Sequence, residues 1–178
     1  MAYISKYPVL STDHVKATDY DSASYYPHLA CDCSQSLTGT HTGTSWLTGL
    51  TGYVNQRFHI DCINAKVIKR IYYENFHNSG ASTNMGMNAF TFWGSNTRSS
   101  FDTLTYGTDT GWTQLSTYSD KGLTVSKTSF DAHAASDASD PKYIYVDNNT
   151  AYQYYAIKVS TSQGSTERMG ARRIELQE

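Results

Sequence analysis

Charge is scarce in this chain. Asp, Glu, Lys and Arg together make up 17% of its 178 residues and leave a formal net charge of -2. No basic excess marks it for nucleic acid or for an anionic lipid surface. No apolar run approaches the length that crosses a bilayer, which speaks against membrane insertion. Cysteine is also scarce. Cys31, Cys33 and Cys62 are an odd number, too few and too badly spaced for a disulfide framework or a zinc finger. Free, partly buried thiols are expected, and with them synthesis in a reducing compartment. The start, Met1-Ala2-Tyr3-Ile4-Ser5-Lys6, has neither the charged end nor the apolar stretch of a leader. Catalytic signatures are missing as well. There is no Gly-x-Ser-x-Gly, no His-Glu-x-x-His and no phosphate loop. Asp131, His133, Asp137 and Asp140 cluster in an Ala/Ser-rich stretch that promises no rigid acid–base placement. The expectation is a protein that is not an enzyme.

What the chain does have is β-forming and polar. It carries 15 Tyr, abundant Thr and 12 Gly, and its good helix formers are sparse. One domain fits the length, spanning residues 1–178, with residues 1–10 expected as a loose N-terminal segment. Residues 11–50 read as short strands and long loops. From Arg57 the pattern turns regular. Phe58, Ile60 and Cys62 alternate with Arg57, His59 and Asp61, the period of a half-buried strand. Further strands are expected over 67–74, 87–94, 112–115, 143–146, 152–160 and 171–176. Phe90 and Phe92 against Trp93 make the 87–94 strand aromatic on both faces, as for a strand covered by another layer or a loop. Many short strands joined by turn residues predict an all-β sandwich or barrel.

The order of these segments resembles the galactose-binding-like jelly rolls, the discoidin or coagulation factor type C domains and many carbohydrate-binding modules. Ala30-Cys31-Asp32 followed by Thr44-Ser45-Trp46 is similar to the early Ala-x-Asp … Thr-x-Trp segment of that family. Gln56 to Cys62 resembles its Gln-Trp-x-x-Val-Asp-Leu strand, and Ala65 to Tyr73 the strand after it. Asn88 to Asn96, Trp112 and Tyr154 to Val159 match in order, and Ala171-Arg172-Arg173-Ile174-Glu175-Leu176 is similar to the closing strand. The resemblance covers nearly the whole chain and implies an all-β β-sandwich, a jelly roll of the galactose-binding domain-like kind.

It also implies a structural Ca2+ ion. The matching positions are Asp32, Thr44, the carbonyl of Ala171 and Glu175, a set of oxygen donors of the kind calcium takes. The competing reading is that Asp32 caps a turn and Glu175 pairs with Arg173. A ligand is expected in the loops at one end of the sandwich. The candidates are Tyr25, Tyr26, Asn75, His77, Asn84 and Arg168, a mixture of flat rings and planar polar groups that suits a sugar. Galactose-binding members grip the sugar with an Arg and an Asn. Here His77 or Asn75, and Asn84, stand at those places, the Arg is absent, and no aromatic residue occupies 161–170. Galactose specificity is therefore not implied. The expected partner is a glycan or cell-surface polysaccharide, bound weakly per site, with a homo-oligomer or a larger parent protein supplying multivalency. Two hosts suit such a module, a glycan-active enzyme or the tail or receptor-binding protein of a phage. Its place of work is then extracellular or virion-associated. The alternative is a structural virion or assembly protein whose jelly roll makes only protein–protein contacts.

Overall fold

The computed structural model describes residues 2–178, and it is built almost entirely of antiparallel strands. These are β1 (Ser5–Lys6), β2 (Val15–Ala17), β3 (Trp46–Leu47), β4 (Val54–Lys66), β5 (Arg70–Asn75), β6 (Phe90–Ser95), β7 (Thr113–Tyr118), β8 (Lys142–Asp147), β9 (Tyr152–Thr161) and β10 (Gly170–Gln177), with one short helix, α1 (Arg98–Asp102). The strands run β1-β10-β5-β8-β7-β6-β9-β4-β2, and β3 adds to β10. β7 joins the two layers. Its first half pairs with β6, Leu115 opposite Phe92, and its second half with β8, Thr117 opposite Val146. The sheet thus curls into a sandwich at a strand that changes partner.

The core follows from the alternation. Phe58 and Ile60 of β4, Phe90 and Phe92 of β6, Tyr155, Ile157 and Val159 of β9, and Ile174 and Leu176 of β10 all point into one cluster and are buried. Cys31 is buried in the same cluster, Cys62 packs against it, and Cys33 is exposed. All three are free thiols. Residues 4–6 are not loose. Ile4 and Glu178 exchange both backbone hydrogen bonds at 3.0 Å, and β1 pairs with the end of β10.

Expectation and structure part at the outer face of β4. Arg57, His59 and Asp61 do alternate away from the core, yet all three are buried. α1 and the 103–112 segment roof that face. Phe101, Trp112, Tyr154 and Ala156, with Trp93 beside them, form a second apolar cluster there. The Arg57 guanidinium donates to the carbonyls of Thr105 and Thr108 at 3.1 and 2.5 Å and to Asp109 at 3.0 Å. Lys158 reaches the same carboxylate at 2.7 Å. The Nε–H of Arg57 donates to His59 Nε2 at 3.1 Å, so the Nδ1–H of His59 donates to the Phe101 carbonyl at 2.8 Å. Period-two alternation tells which way a side chain points, not what lies above it.

No helix among the described residues is long and apolar enough to cross a membrane. Chain termini and loops lie at opposite ends. Gln177 pairs with Arg70 at the terminal end, and Ala171 pairs with Asn75 at the other. Beyond Asn75 and Gly170 lie the 18–53, 76–89, 128–141 and 162–169 segments, and these carry every expected ligand residue except Asn75 itself, the last residue of β5.

Candidate functional site

The loop end is built on polar side chains that leave the sheets. Asn75 closes β5 and is fully buried. Its Nδ2 donates to the carbonyls of Met87 and Asp131, at 2.7 and 3.0 Å. Its Oδ1 accepts the amides of Phe76 and Met87, at 3.0 and 2.8 Å. The amide therefore ties both ends of the 76–89 loop to the 128–141 loop and has no group left for a ligand. His77 is likewise fully buried. Its Nδ1 accepts the Gly80 amide at 3.0 Å, so its Nε2–H donates to the Leu37 carbonyl at 2.9 Å. Its ring stacks on His133, centroids 3.9 Å apart. Both residues were expected to touch a ligand, and the structure corrects this. A planar polar group in a loop serves a sugar or a neighbouring backbone equally well, and sequence does not distinguish the two.

The acidic stretch 131–140 is held in the same way. Glu74, buried on β5, accepts Tyr72 Oη at 2.6 Å, Ser139 Oγ at 2.5 Å and the Asp140 amide at 2.7 Å. His133 Nε2 lies 4.0 Å from this carboxylate. These groups anchor the loop against β5 and do not converge on open space.

The other candidates are accessible. Tyr25 stacks on His41, centroids 5.2 Å apart, and shares a hydrogen bond with Thr42 at 3.2 Å. His41 in turn packs on the buried Phe76 at 5.1 Å. Burial above all, and then the charges of Arg172 and Arg168, hold the His41 ring below its usual pKa, so it stays a neutral stacking face at neutral pH. Tyr26 meets Tyr20 edge-on at 4.9 Å and His28 at 5.5 Å. Tyr20 is 43% exposed. Next to it, Asp21 pairs with Arg168 at 2.8 Å, and Arg168 also donates to the Thr48 carbonyl at 3.1 Å. Asn84 is exposed, and its carbonyl accepts the Ser165 amide at 3.0 Å. The 162–169 loop thus carries Asn84 on one flank and Asp21 on the other. Tyr25, Tyr26 and Arg168 are brought to one region and Asn84 to its border. Asp21 and His41 complete the region. Neither carries a local sequence signal, because both are selected by contacts from other loops.

The expected calcium donors do not fit a metal. Asp32 caps a turn, accepting the Ser34 amide at 3.0 Å, Ser34 Oγ at 2.7 Å and Gln35 Nε2 at 2.9 Å. Burial opposes its ionisation, but the bonds from Ser34 and Gln35 outweigh that and hold its carboxyl below the usual range. Thr44 Oγ1 donates to the Thr40 carbonyl at 3.2 Å. Glu175 accepts Ser5 Oγ at 2.8 Å and the Arg173 guanidinium at 3.2 Å. The Ala171 backbone is paired within the sheet on both sides, with Trp46 of β3 and Asn75 of β5, and its side chain lies in the apolar core. The cause is a bulge between Ala171 and Arg173, which breaks the alternation. Among the described residues no three His, Cys, Asp or Glu side chains gather as metal ligands do.

A cleft of about 620 Å³ lies at the terminal end, lined by Tyr3, Ile4, Tyr145, Leu123 and Lys121 among others. It is remote from the loop region, where the Tyr20–Tyr26 and Tyr25–His41 ring pairs form an aromatic platform.

No protein-family model matches the chain, and no curated protein matches it. Solved structures do. Chitosan-binding module 1 of a chitosanase/glucanase from Paenibacillus sp. IK-5 superposes with a TM-score of 0.62 at 14% identity, covering 99% of this chain and 100% of that one. The family 32 carbohydrate-binding module of NanJ from Clostridium perfringens, in complex with galactose, gives a TM-score of 0.62 at 11% identity over 99% and 100%. A third, also a family 32 module from Clostridium perfringens, in complex with GalNAc-β-1,3-galactose, gives 0.60 at 12% identity over 91% and 92%. The chain therefore has the galactose-binding-like jelly-roll fold. These matches cover 91–99% of the chain, and the fold is that of carbohydrate-binding modules.

Proposed function

We propose that this chain is a non-catalytic carbohydrate-binding module. The reading is carried by one observation: the loop end of a jelly roll shared with sugar-binding modules presents exposed Tyr20 beside Tyr26 and the Asp21–Arg168 pair. A ring offers its face to the apolar side of a pyranose, while a carboxylate and a guanidinium take hydroxyl pairs in two-pronged hydrogen bonds. Tyr25, Tyr26, Arg168 and Asn84 are the ligand residues, with Tyr20, Asp21 and His41 added to them. Asn75 and His77 support the loops from beneath. A shallow platform buries little area, so each site binds weakly, and multivalency comes from further copies or a parent polypeptide. The chitosanase/glucanase origin of one structural neighbour supports a glycan-active enzyme as the parent. The place of work is then outside the cell.

The test is a glycan array probed with the chain displayed multivalently, spanning chitosan fragments, galactosides and uronic acids. Tyr20→Ala and Arg168→Ala should each weaken the positive signals at least about tenfold while leaving the melting midpoint nearly unchanged. Silence across the array, together with a large buried interface between copies in solution, would instead point to an assembly protein.

A further inference from the structure

Two arginines in the closing strand make contacts that no sugar requires. The bulge in β10 turns Arg172 out of the alternation and under the 36–40 loop, where it is fully buried. Four carbonyls of that loop converge on its guanidinium. One terminal nitrogen, Nη1, donates to Thr40 at 2.9 Å and Gly39 at 3.5 Å, and the other, Nη2, to Thr38 at 2.8 Å and Ser36 at 3.3 Å. Asp137 and Glu74 supply opposite charge nearby, and the Gly39 amide donates to Asp137 at 2.7 Å. Arg173, also buried, donates to the Gln35 carbonyl at 2.9 Å and to Glu175 at 3.2 Å. It therefore links the turn capped by Asp32 to the Glu175 carboxylate on β10.

Inward-turned carbonyls flanked by carboxylates need positive charge at their centre, because their dipoles repel one another. A calcium ion meets that need with six to eight oxygens at about 2.3–2.6 Å. Here the oxygens stand at hydrogen-bonding distance from planar N–H donors, and the two terminal nitrogens of Arg172 meet the same need without an ion, its Nε making no hydrogen bond. We infer that the guanidinium groups of Arg172 and Arg173 are the cations that organise the 32–44 loop, so that this chain carries its own covalently tethered counterpart of a structural metal. The loop's Gly43 amide is bonded to the Ser24 carbonyl at 2.9 Å, and His41 stacks on Tyr25. Arg172 therefore acts as a positioning residue for the aromatic platform.

Two measurements on the whole chain test this. First, the wild-type protein is stripped with chelator and titrated with calcium while its melting midpoint and bound metal are followed. No shift and no stoichiometric calcium are expected. A midpoint that rises with calcium, or one ion retained per chain, overturns the inference. Second, hydrogen exchange is read at the amides of residues 38–44. Arg172→Gln should speed it about tenfold or more, equivalent to about 1.4 kcal/mol. Arg172→Lys, which keeps the charge but not the fork, should retain part of the protection. Equal protection in Arg172→Gln and wild type also overturns it. Should Arg172→Gln not fold, the calcium titration of the wild type decides alone. Neither readout involves a glycan, so the outcome is independent of the proposed function.

Discussion

Replacing Asn75 with alanine separates a ligand residue from a structural staple. The wild-type amide bonds four backbone groups, three of them buried: the carbonyls of Met87 and, part-buried, Asp131, and the amides of Phe76 and Met87. Truncation leaves the two amides and the Asp131 carbonyl without their partner, while the Met87 carbonyl keeps the Gln163 side-chain amide at 2.8 Å. A buried backbone group left unpaired costs about 1–3 kcal/mol, and water entering the vacated space recovers part of the sum. A net loss of about 3–5 kcal/mol is expected, at the upper end for a single substitution. In a domain of this size each kcal/mol moves the melting midpoint by about 2–4 °C, so the shift is about 6–20 °C. Asn75→Asp should fare little better, because it keeps the acceptor but turns a second oxygen toward two carbonyls. Urea denaturation followed by tryptophan fluorescence gives the free energy, and a titration with whichever glycan the array identifies gives the affinity of the protein still folded. A variant with wild-type stability and abolished glycan binding would refute the reasoning and restore Asn75 to the ligand site.

Three further outcomes follow from neighbouring contacts. Gly86 lies so close to the Asn75 amide that an added Cβ would stand 2.6 Å from its Cγ; Gly86→Ala should cost about 1–3 kcal/mol by overpacking, read in the same denaturation assay. His59 is pushed from 6.5 down to about 4, chiefly by burial, with the nearby charges of Arg57 and Lys16 acting the same way. The unfolded chain takes up that proton below about pH 6.5 and the folded chain only near pH 4, so stability is full above the upper value and falls by about 3 kcal/mol between them. His28, His41 and His77 shift in the same direction and add to the fall; His59→Gln should flatten part of the curve of denaturation midpoint against pH, and an unchanged curve would count against the buried neutral ring. Asp109 is the shared counterion of Arg57 and Lys158. Asp109→Ala should destabilise by about 2–4 kcal/mol, by leaving a fully buried cation without its carboxylate, and Asp109→Asn by less.

Much of the fold was legible in the residues because burial enforces a period. The alternation of Tyr155, Ile157 and Val159, or of Phe58 and Ile60, has one arrangement that hides the apolar set, and the structure adopts it. The aromatic residues on both faces of β6 were also legible, since Trp93 packs against the second apolar cluster beneath the 103–112 roof. Less was legible at the site. Tyr25, Tyr26, Asn84 and Arg168 lie in accessible loops as their composition suggests, whereas Asn75 and His77 are consumed by backbone. α1 and the 103–112 roof carry no strong periodic signal, and so the burial of Arg57, His59 and Asp61 was hidden.

By itself the sequence determined the alternating strands, their order along the chain and an all-β sandwich or barrel, which the resemblance narrowed to a jelly roll. Each of those depends on neighbours in the chain or on the requirement that an apolar face leave water. Tertiary structure alone decided which polar groups are free. Asp32, Asn75, His77 and Arg172 differ little in kind from the exposed residues around them, and whether each meets solvent, a ligand or a carbonyl depends on loops brought to it from distant positions. The bulge at Ala171–Arg173 is the plainest case. One extra residue sends Ala171 into the core and a guanidinium into a ring of carbonyls, and neither outcome can be read from the order of residues in the strand.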